Sequence, residues 1–328
     1  MDTKTPPGKA RFLYFLTGIQ TTLQKAAFSE NPSLFIYKEN MRTPLFMLEA
    51  LARLYKKIHN HHKLSQLDNL FKDMEDRLGA IDYYDGFHKE FVSRKRIPDM
   101  VTRYLQKRMN KKVNELNHEL EDKKWLGKHQ KGIDKIVKKL DDINWLEEKE
   151  DTARILSVYR DEMDTIQKKY KMSRLEFKDI EADVHELRRE LRWLSIYPQA
   201  LRGLMQLKVN NDPPDFLKKY LTTEIVNSSY NVMPDGSRLQ NHILLNNHYF
   251  YGLSWMIAEL GKLKDNGLGI EVLKESLTAV YKISEDTESL AYSISNENQL
   301  KTSEILAQSQ TIARTFFDEK ILEGIITH

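Results

Sequence analysis

The apolar positions of this chain recur with the 3.6-residue period of an α-helix in nearly every segment. The first apolar stripe consists of Leu45, Leu48, Leu51, Ala52 and Tyr55. A second stripe covers 64–78 and is followed by Gly79. A glycine directly after a periodic segment predicts the end of a helix. No segment alternates apolar and polar positions over the length of a strand, so we expect no β-strands.

The helical period continues towards the C-terminus. Pro98 opens a basic helix that is expected to run to about residue 120. Further helices are expected around 133–140, 155–166, 174–207, 216–226, 239–264, 270–293 and 301–325. The turns between the later helices are expected at 210–214, 231–237, 265–269 and 295–298. Together these elements predict an all-α fold, a helical bundle of ten or more helices.

The composition limits the chemistry that the chain can perform. The absence of cysteine excludes disulfides, thiolate metal sites and a cysteine nucleophile, and it fits a reducing compartment, so we expect a cytoplasmic protein. No apolar run approaches the roughly 18 residues of a membrane span. The nearest, 250–260, is interrupted by Ser254 and Glu259, so we expect no membrane partner.

The charge of the chain is nearly balanced but unevenly distributed. The 51 basic and 48 acidic residues leave a net charge of +3, which by itself implies neither nucleic acid nor a membrane surface. The segment 89–139, however, holds 16 Lys or Arg against 7 Asp or Glu. This basic block is the feature that RNA binding would use.

One predicted helix carries a stripe of cationic side chains. His185, Arg188 and Arg192 share one face because they are spaced by three and four residues, and Arg189 lies beside them. If the helix continued, Arg202 would return to within roughly 40° of His185. The positive side chains on such a face repel one another unless open solvent or an anion lies against them. The stripe is therefore either a solvated basic face or one wall of an anion site.

A weak repeat relates the two halves of the chain. Arg42, in 41–51, precedes a helix whose apolar stripe ends at Leu78-Gly79, and Arg188 precedes a helix that contains Leu260-Gly261. Residues 1–8 lack the apolar segment and small-residue cleavage site of a signal peptide, so we expect a short disordered leader there. The repeat predicts a first helical half over 9–170 and a second over 171–328. We expect the two halves to form one compact unit.

The second half resembles the conserved-histidine α-helical domain (CHAD) family, whose signature helix reads His-x-x-Arg-x-x-x-Arg-Arg-Leu-Arg. The matching residues are His185, Arg188, Arg192 and Leu194, while Trp193 and Ser195 stand in place of arginines. The later signature, Leu-Gly-x-x-Arg-Asp, is approximated by Leu260, Gly261, Lys264 and Asp265.

The first half keeps less of the two signatures. Its matches are Arg42, Leu48, Leu78 and Gly79. Glu39 replaces the histidine, and Phe46, Met47 and Glu49 replace three arginines. Asp82 and Tyr83 replace the later Arg-Asp pair. These replacements turn a basic wall into an apolar and acidic one.

The resemblance implies two helical halves related by an approximate twofold with a basic cleft between them. It further implies a non-catalytic module that binds inorganic polyphosphate or another phosphorylated polyanion. Phosphate groups are held by guanidinium and ammonium groups. The candidate ligand-binding residues are therefore Arg42, His185, Arg188, Arg189, Arg192, Arg202 and Lys264.

Two other functions stay open. The chain could be a helical scaffold for a protein partner that has lost anion binding, or it could bind RNA through the basic block. His59 and His62 share no face with a completing carboxylate, so we expect no metal site. No phosphate-binding loop, dinucleotide fingerprint or hydrolase motif is present. We therefore expect neither a cofactor nor an enzymatic activity.

Overall fold

The computed structural model describes residues 5–127, 130–281, 286–295 and 299–326, and in these ranges the fold is all-α, as predicted. The α-helices are α1 (Pro7–Ala26), α2 (Pro32–Lys38), α3 (Arg42–Tyr55), α4 (His61–Val92), α5 (Asp99–Asp122), α6 (Lys131–Asp141), α7 (Glu148–Met172), α8 (Glu186–Ala200), α9 (Thr223–Val226), α10 (Asn247–Tyr281), α11 (Thr287–Ile294) and α12 (Thr302–Asp318).

The core is continuous across both halves of the chain. The apolar stripe of α3 is fully buried, because α1, α4 and α8 all pack against this helix. Helix α10 packs in turn on α5, α8 and α12. One hydrophobic cluster therefore includes residues from both segments, 9–170 and 171–328. The approximate twofold between the halves stays a prediction.

Two predicted helix ends are absent from the structure. Helix α4 continues through Gly79 to Val92, and α10 continues through 265–269. At Gly79 and Gly267 the glycine admits a close neighbour instead of ending the helix. A Cβ atom at position 267, for example, would lie 2.6 Å from Cδ1 of Ile180. Glycine in a helix is thus explained here by packing.

The helix predicted over 174–207 is divided into several elements. Arg174 and Leu175 have positive φ, and a π-helical turn, Ile180–His185, leads into α8. After α8 the chain forms strand β1 (Met205–Lys208), which pairs in parallel with β2 (Ile243–Asn246). The expectation of no strands was therefore wrong, because strands of four residues are too short to show alternation.

The remaining differences concern helix ends and the leader. The segment 216–226 contains a 3₁₀ helix, Asp215–Tyr220, and the single turn α9 instead of one helix. The predicted leader, 1–8, lies partly outside the described residues, but Pro7 and Gly8 belong to α1. Gly8 is buried against Trp145. None of the helices in the described ranges combines the length and the apolar character that crossing a membrane requires.

Candidate anion-binding site

A cavity of about 720 Å³ lies where α8 faces α3, α4 and the middle of α10. We call it the central cleft. Its cationic lining residues among the sequence-predicted candidates are Arg42, His185, Arg188, Arg189, Arg192 and Lys264. The fold thus brings together six of the seven candidates from three helices and the end of the π-helical turn.

Arg202 lies elsewhere. Helix α8 ends at Ala200, and Arg202 follows with a φ of 53°, so it does not continue the stripe. Its guanidinium stacks 3.9 Å from the centre of the Tyr14 ring. Because Arg202 does not line the central cleft, its predicted place beside His185 was wrong.

The π-helical turn fixes the start of the cationic stripe. The Asp179 side chain accepts a hydrogen bond from the backbone N–H of Ala182, and Asp183 accepts two from the backbone of Lys178 and Asp179. These bonds satisfy donors that a helix start leaves free. His185 is therefore held at the junction between the turn and α8.

The environment of His185 disfavours its charged form. Burial lowers the pKa of its imidazole, and nearby Lys264, Arg188 and Arg192 lower it further against the opposing effect of Glu181. Its Nδ1 is buried and has no hydrogen-bond partner in the described part of the chain. The imidazole therefore has one polar atom whose hydrogen bond a ligand could supply.

Arg188 is positioned by the backbone of α10. Its Nε donates a hydrogen bond to the carbonyl of Ile257, at 3.1 Å. The guanidinium lies on Gly261, where a Cβ atom would come within 2.9 Å of Nε. In the other half, Arg42 lies on Gly79, and a Cβ atom there would come within 2.9 Å of Nη2. Each Leu-Gly pair noted in the sequence thus supports one arginine.

Arg192 lies one helical turn after Arg188 and faces α3. Its guanidinium is 4.7 Å from the centre of the Phe46 ring. Burial, together with the neighbouring charges of Arg188 and Arg42, lowers the pKa of Arg192 to about 10, despite the opposing effect of Glu75 and Glu49. Its Nε is buried without a hydrogen-bond partner in the described residues.

The other cleft cations already have acidic partners. Arg42 binds Glu75 through Nε at 2.5 Å and Asp82 through Nη1 at 2.8 Å. Lys264 lies 3.0 Å from Asp265, and Arg189 lies 2.5 Å from Glu186. Across the described ranges, Arg188 and Arg192 have no ion-pair partner. They are therefore the cleft arginines with positive charge still available to a ligand.

The wall opposite α8 is acidic, more strongly than the replacements at Glu49 and Asp82 indicated. Its carboxylates are Glu49, Asp68, Glu75, Asp76 and Asp82. All but Glu49 lie on α4. Burial, followed by the charge of Glu75, raises the pKa of Glu49 to about 7. The available signal was Glu49 itself, a carboxylate within an apolar segment of α3.

Two further cavities continue the central cleft. One of about 780 Å³ runs between α4 and α10 and shares Arg42, Gly79 and Lys264 with it. A smaller one of about 330 Å³ shares Arg188 and Arg192, and much of its remaining lining is apolar. The two unpaired arginines therefore stand between the polar cleft and an apolar cavity.

No described residue of the basic block 89–139 lines the central cleft, although Glu90 and Arg94 line the adjoining cavity of about 780 Å³, and many of the charges of the block are paired. Arg94 pairs with Glu90, and Lys112 lies 2.8 Å from Glu115. Lys123 lies 3.0 Å from Asp73 of α4. These pairs reduce the positive potential that RNA would meet, and they are exposed pairs of the kind that solvent screens.

Comparison of the chain with protein-family models, with curated proteins and with solved structures gave no match. Among the described residues, no group of three or more His, Asp or Glu side chains is arranged to hold a metal ion. The interpretation of the site therefore rests on the geometry of the central cleft and on the sequence resemblance.

Proposed function

We propose that the chain is a non-catalytic helical module of the CHAD type whose central cleft binds a phosphorylated anion. The ligand class that the resemblance implies is inorganic polyphosphate or a similar phosphorylated polyanion. Arg188 and Arg192 hold the anion, and His185 and Lys264 stand beside them to add hydrogen bonds. Arg42, Arg189 and Lys264 contribute less than the two arginines, because carboxylates already bind them.

The observation that carries this proposal is the pair of partly buried arginines without acidic partners in the described residues. Removing a guanidinium from water is unfavourable unless an opposite charge compensates. Burial disfavours the charged forms of Arg188 and Arg192, and their pKa values are lowered accordingly. A bound phosphoryl group would supply the compensating charge and accept charge-assisted hydrogen bonds from both guanidinium groups.

The test is charge reversal at both arginines. The double variant Arg188→Glu with Arg192→Glu should lose binding of long-chain polyphosphate, measured by titration of the full chain at low salt. A milder pair, Arg188→Gln with Arg192→Gln, guards against misfolding, and it should weaken binding at least tenfold. Arg103→Gln is the matched control, because this exposed arginine of α5 does not line the central cleft. Unchanged affinity in folded double variants contradicts the proposal.

A helical scaffold for a protein partner is the second candidate function. One observation favours it: α3 presents Phe46 and Met47 to the apolar cavity of about 330 Å³ beside the central cleft. If this function is right, polyphosphate does not bind even at low salt, and Phe46→Ala weakens association with the partner. RNA binding through the basic block instead predicts that Arg103→Gln lowers RNA affinity, while the substitutions at Arg188 and Arg192 leave RNA affinity unchanged.

A further inference from the structure

The acidic wall of the central cleft contains one carboxylate that its neighbours leave unpaired. Asp82 and Glu75 bind Arg42, at 2.8 and 2.5 Å. The other two carboxylates of α4 bind lysines, Asp68 to Lys56 and Asp76 to Lys72. Within the described chain, Glu49 has no such ion-pair partner.

Glu49 is also costly to leave unpaired, because it is buried. The residue is only 6% exposed, it lines the cleft, and its Oε2 has no hydrogen-bond partner in the described part of the chain. A buried carboxylate in this position must take up a proton or meet a cation. The raised pKa of Glu49 reflects the same imbalance, since burial is its main cause.

Resting on the function proposed above, we infer that the phosphorylated ligand of the central cleft also carries a protonated amine, which binds Glu49. Glu49 on α3 and Arg192 on α8 line the same cavity. A ligand with a phosphoryl group on Arg188 and Arg192 and an ammonium group a few bonds away would satisfy both walls. The class of ligand is an aminoalkyl phosphate.

An ammonium group fits this wall better than a divalent metal ion. Calcium takes six to eight oxygen ligands, and magnesium requires octahedral geometry. The described residues contain no group of three carboxylates or imidazoles arranged to hold a metal ion. An ammonium group needs acceptors for three N–H bonds, and one unpaired carboxylate in a polar cavity provides the charged one.

The acidic wall also accounts for selectivity. A phosphate group at the Glu49 end of the cleft would meet the negative charge of Glu49 and of the partly neutralised carboxylates of α4. Like charges repel, and burial strengthens the repulsion. An amine at that end of the ligand changes repulsion into attraction, so the two walls together select for opposite charges on one small molecule.

The experiment compares three probes by calorimetric titration of the full chain at about pH 8, where Glu49 is ionised. The probes are inorganic phosphate, phosphoethanolamine, and propyl phosphate, in which a methyl group replaces the ammonium. Phosphoethanolamine should bind at least about tenfold more tightly than propyl phosphate, because one charge-assisted hydrogen bond to a buried carboxylate is gained. The variant Glu49→Gln should reduce this advantage to less than about twofold.

Glu121→Gln on α5 is the matched control, because Glu121 is exposed and does not line the cleft, so the amine advantage should persist in it. Equal affinity of the wild type for phosphoethanolamine and propyl phosphate overturns the inference and leaves the proposed function standing. An advantage that survives Glu49→Gln also overturns it, since the amine then binds elsewhere. Failure of all three probes to bind, together with failure of polyphosphate, contradicts both proposals.

Discussion

The guanidinium of Arg188 lies on Gly261 of α10, so close that a methyl group at position 261 would come within 2.9 Å of Nε. The hydrogen bond that Arg188 donates to the carbonyl of Ile257 also holds the guanidinium in this position. The glycine therefore has a positional role for the site, because it leaves room for the side chain that we propose to bind the anion.

The variant Gly261→Ala should separate binding from stability. Alanine is favoured over glycine inside a helix by about 1 kcal/mol, so the free energy of unfolding should stay unchanged or rise. The added methyl displaces Arg188, and the affinity for polyphosphate should fall about tenfold. Titration and urea unfolding of the same samples measure both effects. Gly18→Ala in α1, where a Cβ atom meets nothing within 4 Å, is the control and should bind normally.

Arg192→Met should stabilise the free protein while it weakens anion binding. The guanidinium is partly buried beside Arg188 without an acidic partner in the described residues, and methionine removes that charge but keeps an apolar stem against Phe46. We expect the free energy of unfolding to rise by roughly 1–2 kcal/mol. Chemical unfolding in the absence of phosphate tests this. A loss of stability instead would assign Arg192 a structural role.

Glu49 should make stability depend on pH. Its folded-state pKa of about 7 lies above the ordinary value of 4.5, so between these values the folded state holds a proton that the unfolded state has lost. The stabilisation is complete below about pH 4.5 and is lost as the pH rises through about 7. The pKa of Glu49 is raised by the charges of three carboxylates of α4, Glu75, Asp68 and Asp76, and is lowered by Lys72 of the same helix. Arg192 of α8 also interacts electrostatically with Glu49.

Glu49→Gln removes this dependence. As the pH rises from about 4.5 to about 8, the wild type loses this stabilisation and the variant does not. The free energy of unfolding of the variant should therefore rise relative to that of the wild type, by as much as roughly 3 kcal/mol at pH 8. Urea unfolding of both proteins across that range gives the difference directly. A constant difference between the two curves would mean that the pKa of Glu49 is not raised.

A buried ion pair away from the cleft should dominate the stability of the bundle. Arg11 of α1 donates to Asp151 of α7 at 2.5 Å and to the carbonyl of Leu201 at 3.2 Å. Tyr55 of α3 donates to the same carboxylate at 2.9 Å. Arg11→Ala leaves Asp151 buried and unpaired, so unfolding should become easier by about 3–5 kcal/mol.

The double variant Arg11→Met with Asp151→Leu should recover most of that loss, because both charges then leave the core together. Polyphosphate affinity should stay at the wild-type value in this variant, since neither residue lines the central cleft. Equal stability of the single and double variants would show that the pair contributes through packing alone.

The elements that sequence periodicity predicted best are those that end at distinct signals. The helix expected over 98–120 is observed as α5, directly after Pro98, and the stripe around 133–140 lies within α6. The helix end predicted at Gly79 and the turn predicted at 265–269 were wrong, because α4 and α10 continue through them. A glycine that ends a helix and one that leaves room for a neighbouring side chain look alike in sequence. Only the packed partner, such as Arg42 at Gly79, distinguishes them.

The cleft itself was predictable on one side only. The spacing of His185, Arg188 and Arg192 placed them on one helix face, and all three line the cavity. The pairing of Arg42 with Glu75 and Asp82 depends on contacts across 33 and 40 residues, which a helical period does not encode. Glu49 was visible as a charge in an apolar segment, but its opposition to Arg192 depends on how α3 packs against α8.

The most direct measurement is titration of the full chain with long-chain polyphosphate at about 50 and 300 mM salt, with a short RNA as competitor. Binding through Arg188 and Arg192 predicts tight association at the lower salt, a steep loss at the higher salt, and no displacement by RNA. Absence of binding at the lower salt would contradict the account, and displacement by RNA would move the anion site from the central cleft to the basic block.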